Sequence, residues 1–258
     1  MKKYFRLFFK LCAYSIKKIR RFKEIPYYIK TLKKFIKSRG ADKDFPFWTW
    51  YPILDDRTAD SGSVSIHYFF QDIYVARKIF ANNPNNHLDI GSSISGFVAH
   101  VSVFRQIDVL DIRPLPKLEK NISFIQSDLL NIDTKIFKRY VSISALHSIE
   151  HFGLGRYGDQ VDYYAHIKAI NVIYDILLPN GVFYFSVPIG KQRVEFNAHR
   201  VFSLNYLSNL FTNKFKIKSF SYINDKNIII ENIPIENIDL QNNFGCNYGC
   251  GIFELIKI

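Results

Sequence analysis

The chain has 258 residues, 48% of them hydrophobic and 16% aromatic, which excludes an intrinsically disordered polypeptide and suits one domain plus an extension. Three scattered cysteines, Cys12, Cys246 and Cys250, exclude a disulfide framework and supply no zinc ligand set. They are expected to be reduced thiols of a cytoplasmic protein, so the net charge of +12 is the composition's main clue.

That charge is concentrated at the start. Residues 1–39 hold fourteen of the 35 lysines and arginines but a single acidic residue, Glu24, leaving the rest of the chain close to neutral. Phe5, Phe8, Phe9, Cys12, Ile16 and Ile19 recur at helical spacing, with Arg6, Lys10, Lys17, Lys18, Arg20 and Arg21 largely off that stripe. The pattern predicts a basic amphipathic helical extension over residues 1–40, separate from a domain at 41–258. Arg6 and Lys10 interrupt the apolar run and exclude a spanning helix. An anionic membrane surface at the inner face of the membrane is the favoured partner of residues 1–39, ahead of packing on the domain itself. No nucleic-acid motif accompanies the basic stretch.

The stretch from Ala41 to Pro52, rich in aromatic and proline residues, reads as a packed connector. Tyr68 to Phe80 reads as a helix stopped at Asn82-Asn83-Pro84. Next come apolar runs ending in turns: His87-Leu-Asp89-Ile-Gly91-Ser92, Ile107 to Asp111 and Phe124 to Asp128. Buried parallel strands of a doubly wound sheet have this form. Asp111 lies twenty residues past Gly91, the spacing at which a second-strand carboxylate reaches nucleoside ribose hydroxyls. A carboxylate at Asp89 would repel a pyrophosphate, and Ser93 and Ser95 stand where a dinucleotide loop has glycines. The loop therefore favours S-adenosylmethionine over NAD, which makes an NAD-dependent oxidoreductase the weaker reading. The expected cofactor contacts are Asp89, Gly91, Ser92, Asp111, Ile112, Asp128 and Leu129. Strand-end capping is the plain alternative for Asp89 and Asp128.

A fourth strand over Tyr140 to Leu146 runs into His147-Ser-Ile-Glu150-His151-Phe-Gly153-Leu-Gly155-Arg156-Tyr157-Gly158-Asp159. Ligands bind at such a strand end in open α/β sheets. A helix from about Asp162 to Leu178 is expected to stop at Pro179-Asn-Gly181, followed by a fifth strand over Gly181 to Val187. Final strands are expected near Phe215 to Tyr222 and Gly251 to Ile258. His151 is the first candidate for a general base and His199 the second, because an imidazole titrates near neutrality. Glu150 would orient His151 or coordinate a divalent ion. Arg156 and Arg200, with Tyr157, Asp159 and Asn197 beside them, would hold a phosphate or carboxylate of the acceptor. A structural loop with Arg156 paired to Asp159 is the alternative, and no metal site is expected.

The segments HLDIGSS, LDIRPL, EHFGLGRYGD, LLPNGVFYFSVPIG and FNAHRVFS resemble an uncharacterised methyltransferase-like family catalogued as domain of unknown function 268. The likeness runs from about Phe45 to Ile258. It implies an α/β, Rossmann-like three-layer sandwich of class I methyltransferase type, with a seven-stranded, mostly parallel sheet whose last strand is antiparallel. It also implies an S-adenosylmethionine-dependent methyltransferase acting on a small-molecule or glycan-linked acceptor, such as a surface-polysaccharide precursor. A non-catalytic scaffold of the same fold at a membrane-associated complex is the rival. Ser144 departs from the superfamily, where the fourth strand often carries an acidic residue.

Overall fold

The computed structural model describes residues 22–39, 51–59, 66–117, 119–135 and 137–258. It divides into two units, Met1–Val64 and Ser65–Ile258. In the first, helix α1 spans residues 22–39. Glu24 receives two hydrogen bonds from Arg57, at 2.6 and 2.8 Å, and the same guanidinium lies 4.4 Å from the Tyr27 ring centroid. Phe22, Ile29, Phe35 and Ile36 are exposed on α1. The stripe from Phe5 to Ile19 lies outside the described residues, as does the connector from Ala41 as far as Trp50. Among the described residues no helix is long and apolar enough to cross a membrane.

The second unit opens with α2 (Ile66–Asn82) and continues through β1 (Leu88–Ile90), a π-helical turn into α3 (Ala99–Ser102), β2 (Ile107–Asp111), β3 (Ile122–Gln126) and β4 (Tyr140–Leu146). Then come α4 (Ala165–Ile176), β5 (Leu177–Ile189), a small hairpin of β6 (Arg193–Glu195) and β7 (His199–Val201), and α5 (Leu204–Phe211). The unit ends with β8 (Phe215–Ile223), β9 (Ile229–Ile233) and β10 (Gly249–Lys257). The main sheet has eight strands in the order β3-β2-β1-β4-β5-β10-β8-β9. β1 to β5 run parallel, and β10 is antiparallel to both of its neighbours.

Alternation along β5 explains the layers. Phe183, Phe185, Val187 and Ile189 enter one core with α4, α5 and β10 residues, while Tyr184 enters the other with α2 and α3 residues. The first core is largely aromatic: Phe185 meets Phe211 and Phe253, and Phe220 lies 4.7 Å from Phe253 between ring centroids.

The Rossmann-like, mostly parallel architecture agrees with the sequence, with two adjustments. The sheet gains an eighth strand, β9, because Ile229–Ile233 pairs antiparallel with the otherwise open edge of β8. The helix expected to reach Leu178 ends at Ile176. Leu177 pairs with Tyr140 and Val182 with Ser142, so the intervening residues bulge out of the ladder. Asn180 adopts the left-handed backbone there, at a φ of 60°.

Candidate functional site

The strand order reverses between β1 and β4, so the loops leaving their carboxyl ends part and open a crevice. It is an open cleft, bounded by Gly91, Asp111, Ile112, Asp128 and Leu129 on one side and His147, His151, Tyr157 and Asp159 on the other. Eight of the residues expected to form the site line it. The other seven, Asp89, Ser92, Glu150, Arg156, Asn197, His199 and Arg200, do not line it.

Asp89 and Ser92 correct the expectation of direct cofactor contact. Asp89 is fully buried; Oδ1 accepts hydrogen bonds from the hydroxyls of Ser92 and Ser144, both at 2.6 Å, and Oδ2 accepts from the Ser92 amide at 3.0 Å. Ser92 Oγ in turn accepts from the Leu146 amide at 3.0 Å. The pair therefore ties the glycine loop to the end of β4. Burial raises the Asp89 pKa to about 6, against the hydroxyl hydrogen bonds that pull it down. Ser144 on β4 is thus a partner of Asp89. Gly91 takes a φ of +67°, and a Cβ there would stand 2.8 Å from Ser148 Oγ, so the close approach of loop and strand end requires glycine.

Asp111 stands at the cleft edge but is engaged. Arg113 donates to it from its backbone amide (2.8 Å), Nε (3.0 Å) and Nη2 (2.6 Å). The Arg113 guanidinium also lies 4.5 Å from the Tyr157 ring centroid, bridging the two walls. Asp128 caps the turn after β3, accepting from the Leu130 amide and from Asn131 Nδ2, both at 3.0 Å, while still lining the cleft. Capping and facing the cleft are thus compatible at this residue.

On the opposite wall, Glu150 is buried behind the surface with Oε1 2.8 Å from His147 Nδ1 and 3.8 Å from His151 Nε2. His151 Nδ1 lies 2.6 Å from the Ala198 carbonyl. A carbonyl only accepts, so Nδ1 carries the proton and Nε2 keeps its lone pair. Burial lowers the His151 pKa, Glu150 raises it, and Arg156 and His147 oppose the imidazolium; the net shift is downward.

The loop between them is held by Asp159, which accepts from the amides of Gly153 (2.8 Å), Gly155 (3.3 Å) and Tyr157 (3.1 Å). Arg156 does not pair with Asp159; it donates to the Ala198 carbonyl at 3.0 Å and lies 5.1 Å from the Tyr157 ring centroid. Arg200 also departs from the expected role. Only 5% exposed, it donates to the carbonyls of Phe152 (2.5 Å), Tyr163 (3.1 Å) and Glu150 (3.4 Å), so its guanidinium braces the loop from inside. Asn197 Nδ2 likewise donates to the Leu154 carbonyl at 3.3 Å. His199 sits behind His151, with ring centroids 6.5 Å apart, and its Nε2 lies 3.6 Å from Glu195.

The cleft is also lined by residues to which the sequence assigned no role, among them His147, Arg113, Ser148 and Gln160. His147 directly follows β4 and Arg113 stands two residues past β2, and that strand-end position was the available signal. Among the described residues no group of three or more His, Cys, Asp or Glu side chains is arranged to hold a metal ion.

Comparison with known proteins places this geometry in context. The family model described as "Caenorhabditis protein of unknown function, DUF268" matches residues 106–245. The N-methyltransferase NodS from Bradyrhizobium japonicum WM9, solved with S-adenosyl-L-homocysteine, superposes with a TM-score of 0.50 at 12% identity, over 73% of this chain and 85% of that one. A 1,6-didemethyltoxoflavin-N1-methyltransferase from Burkholderia thailandensis, with its acceptor and S-adenosylhomocysteine bound, gives 0.50 at 15% identity, over 73% and 79%. At such identities the likeness establishes the fold. No curated protein matches by sequence.

Proposed function

We propose that this chain, which belongs to the DUF268 family, is an S-adenosylmethionine-dependent methyltransferase acting on a small-molecule or glycan-linked acceptor. The observation that carries this reading is the cleft at the reversal of strand order, with Gly91, Asp111 and Asp128 on one wall and His151 on the other. Acidic groups at the ends of β2 and β3, and a buried carboxylate beneath the glycine loop, suit a nucleoside without phosphates. Asp111 would take the ribose hydroxyls, Asp128 and Leu129 would flank the base, and Gly91 would approach the amino-acid end. Bound there, the cofactor supplies an electrophilic methyl group on a sulfonium.

The chain's own contribution is positioning, exclusion of water and removal of a proton. Tyr157, Asp159 and the loop braced by Arg200 wall off the acceptor side. An acceptor hydroxyl would lose its proton to His151 Nε2, where the fixed Nδ1–H leaves a lone pair. Glu150 stands close enough to stabilise the resulting imidazolium. Exposed apolar residues and five lysines on α1, from Lys23 to Lys37, support a location against an anionic membrane surface.

Calorimetry tests the cofactor assignment. S-adenosylmethionine and S-adenosylhomocysteine should both bind and NAD should not; tight NAD binding without either adenosyl compound would overturn the proposal.

A further inference from the structure

One carboxylate oxygen serves two imidazoles. Oε1 of Glu150 lies 2.8 Å from His147 Nδ1 and 3.8 Å from His151 Nε2. Glu150 is 1% exposed and Oε2 has no hydrogen-bond partner among the described residues, so its charge acts on those two rings with little screening by water. His147 is held with unusual firmness. Its backbone is left-handed, at a φ of 48°, and its amide meets both the carbonyl (3.0 Å) and the hydroxyl (3.2 Å) of Ser186. Its ring packs against His67 at 5.8 Å and Tyr68 at 5.1 Å between centroids. A residue other than glycine adopts such a backbone uncommonly, and such residues cluster at functional sites. The outcome here is to aim Nδ1 at Glu150 while Nε2 is left without a partner among the described residues.

We propose that His147 is a positioning residue that sets the basicity of His151 through their shared carboxylate, which rests on the reading of His151 as the acceptor's proton sink. A proton on His147 Nδ1 holds Oε1 and absorbs most of the carboxylate's charge. His151 then stays neutral at rest with Nε2 available, and the longer contact becomes attractive only when His151 gains a proton. The groups facing His151 are Glu150, the Arg156 guanidinium, the Ala198 carbonyl, and the rings of Tyr157 and His199. Those facing His147 are Glu150, Cys250, His67 and Tyr68, with Asp72 adding a weaker attraction. Burial disfavours the His147 imidazolium, but Cys250 and Glu150 outweigh it and the net shift is upward, whereas His151 shifts downward.

The test is an imidazole NMR titration of the full-length protein without cofactor or acceptor, so the outcome does not depend on whether the chain methylates anything. In the wild type, His151 should titrate below 6.5. His147→Asn, chosen because asparagine tolerates the left-handed backbone, should move that titration up by about one unit as Glu150 turns its charge on His151. Glu150→Gln should move it down. An unchanged His151 titration in His147→Asn overturns the proposal. Should that variant not fold, the wild type decides: His147 must keep its Nδ1 proton throughout the range over which His151 titrates, and a bare Nδ1 there overturns the proposal. A protein that behaves as expected yet binds no S-adenosylmethionine rejects the methyl-transfer reading alone.

Discussion

The two walls of the cleft use their polar side chains in opposite ways. On the β1–β3 wall, Asp111 and Asp128 sit at the ends of short strands and reach the cleft directly, with partners that are local and partly exposed. On the β4 wall, Glu150, Arg200 and Asn197 turn inward onto carbonyls and imidazoles, leaving His147, His151, Tyr157 and Asp159 to face the space. One wall is a row of individually replaceable contacts. The other is a braced assembly in which removing one member disturbs several. A strand end exposes its last side chain by geometry alone, whereas a long glycine-rich loop must be held internally before it can present anything.

If the comparison holds, the largest effect belongs to His151. With an acceptor in hand, His151→Ala should reduce turnover by roughly two to four orders of magnitude while S-adenosylmethionine affinity stays nearly unchanged. The base must be neutral, and its pKa lies below the usual 6.5, so wild-type turnover should be flat above neutrality and fall as the pH drops through that lowered value. A profile that instead climbs through the alkaline range would assign the proton to another group.

Next is Arg200→Ala, which strands buried carbonyls of Glu150, Phe152 and Tyr163. Urea unfolding should show a loss of about 3 kcal/mol. Full stability with collapsed turnover would mean that the guanidinium meets the acceptor after all, and the contrast between the walls would fail. Asp111→Ala should leave stability nearly unchanged and weaken S-adenosylmethionine binding by about 1.5–3 kcal/mol, as charge-assisted ribose hydrogen bonds are lost. Arg113→Ala frees the same carboxylate and should tighten binding by about threefold, the modest value of an exposed ion pair. Weaker binding in that variant would show that Arg113 stacks on the cofactor.

A smaller effect is expected from outside the cleft. Replacing the exposed Phe35 and Ile36 of α1 by serine should lower binding to anionic vesicles by roughly tenfold with every lysine kept. Undiminished binding would reduce the attraction to charge alone, which salt would then abolish.

How much of this was legible depended on whether an element declares itself locally. Ile107 to Asp111 and Tyr140 to Leu146 read correctly as parallel strands because both faces are buried and their apolar runs end at turns. Gly91 and Asp111 follow from spacing, since a strand–helix–strand unit of that length leaves little choice of placement. β9 was missed because Ile229–Ile233 is short and half exposed, and acquires its pairing only from the open edge of β8. The break at Leu177 was missed because pairing with Tyr140 outweighs the helical pattern that precedes it.

By itself, then, the sequence determined the doubly wound sheet, the crevice at its reversal and the acidic wall, all consequences of hydrophobic period and strand-end position. The direction in which an arginine or a buried carboxylate points has no such local signature. Whether Arg200 meets an acceptor or three carbonyls, whether Asp89 meets a cofactor or two serines, and which histidine Glu150 holds were decided only by tertiary structure. A buried polar group goes to whichever partner, near or distant in the chain, spares it the cost of desolvation.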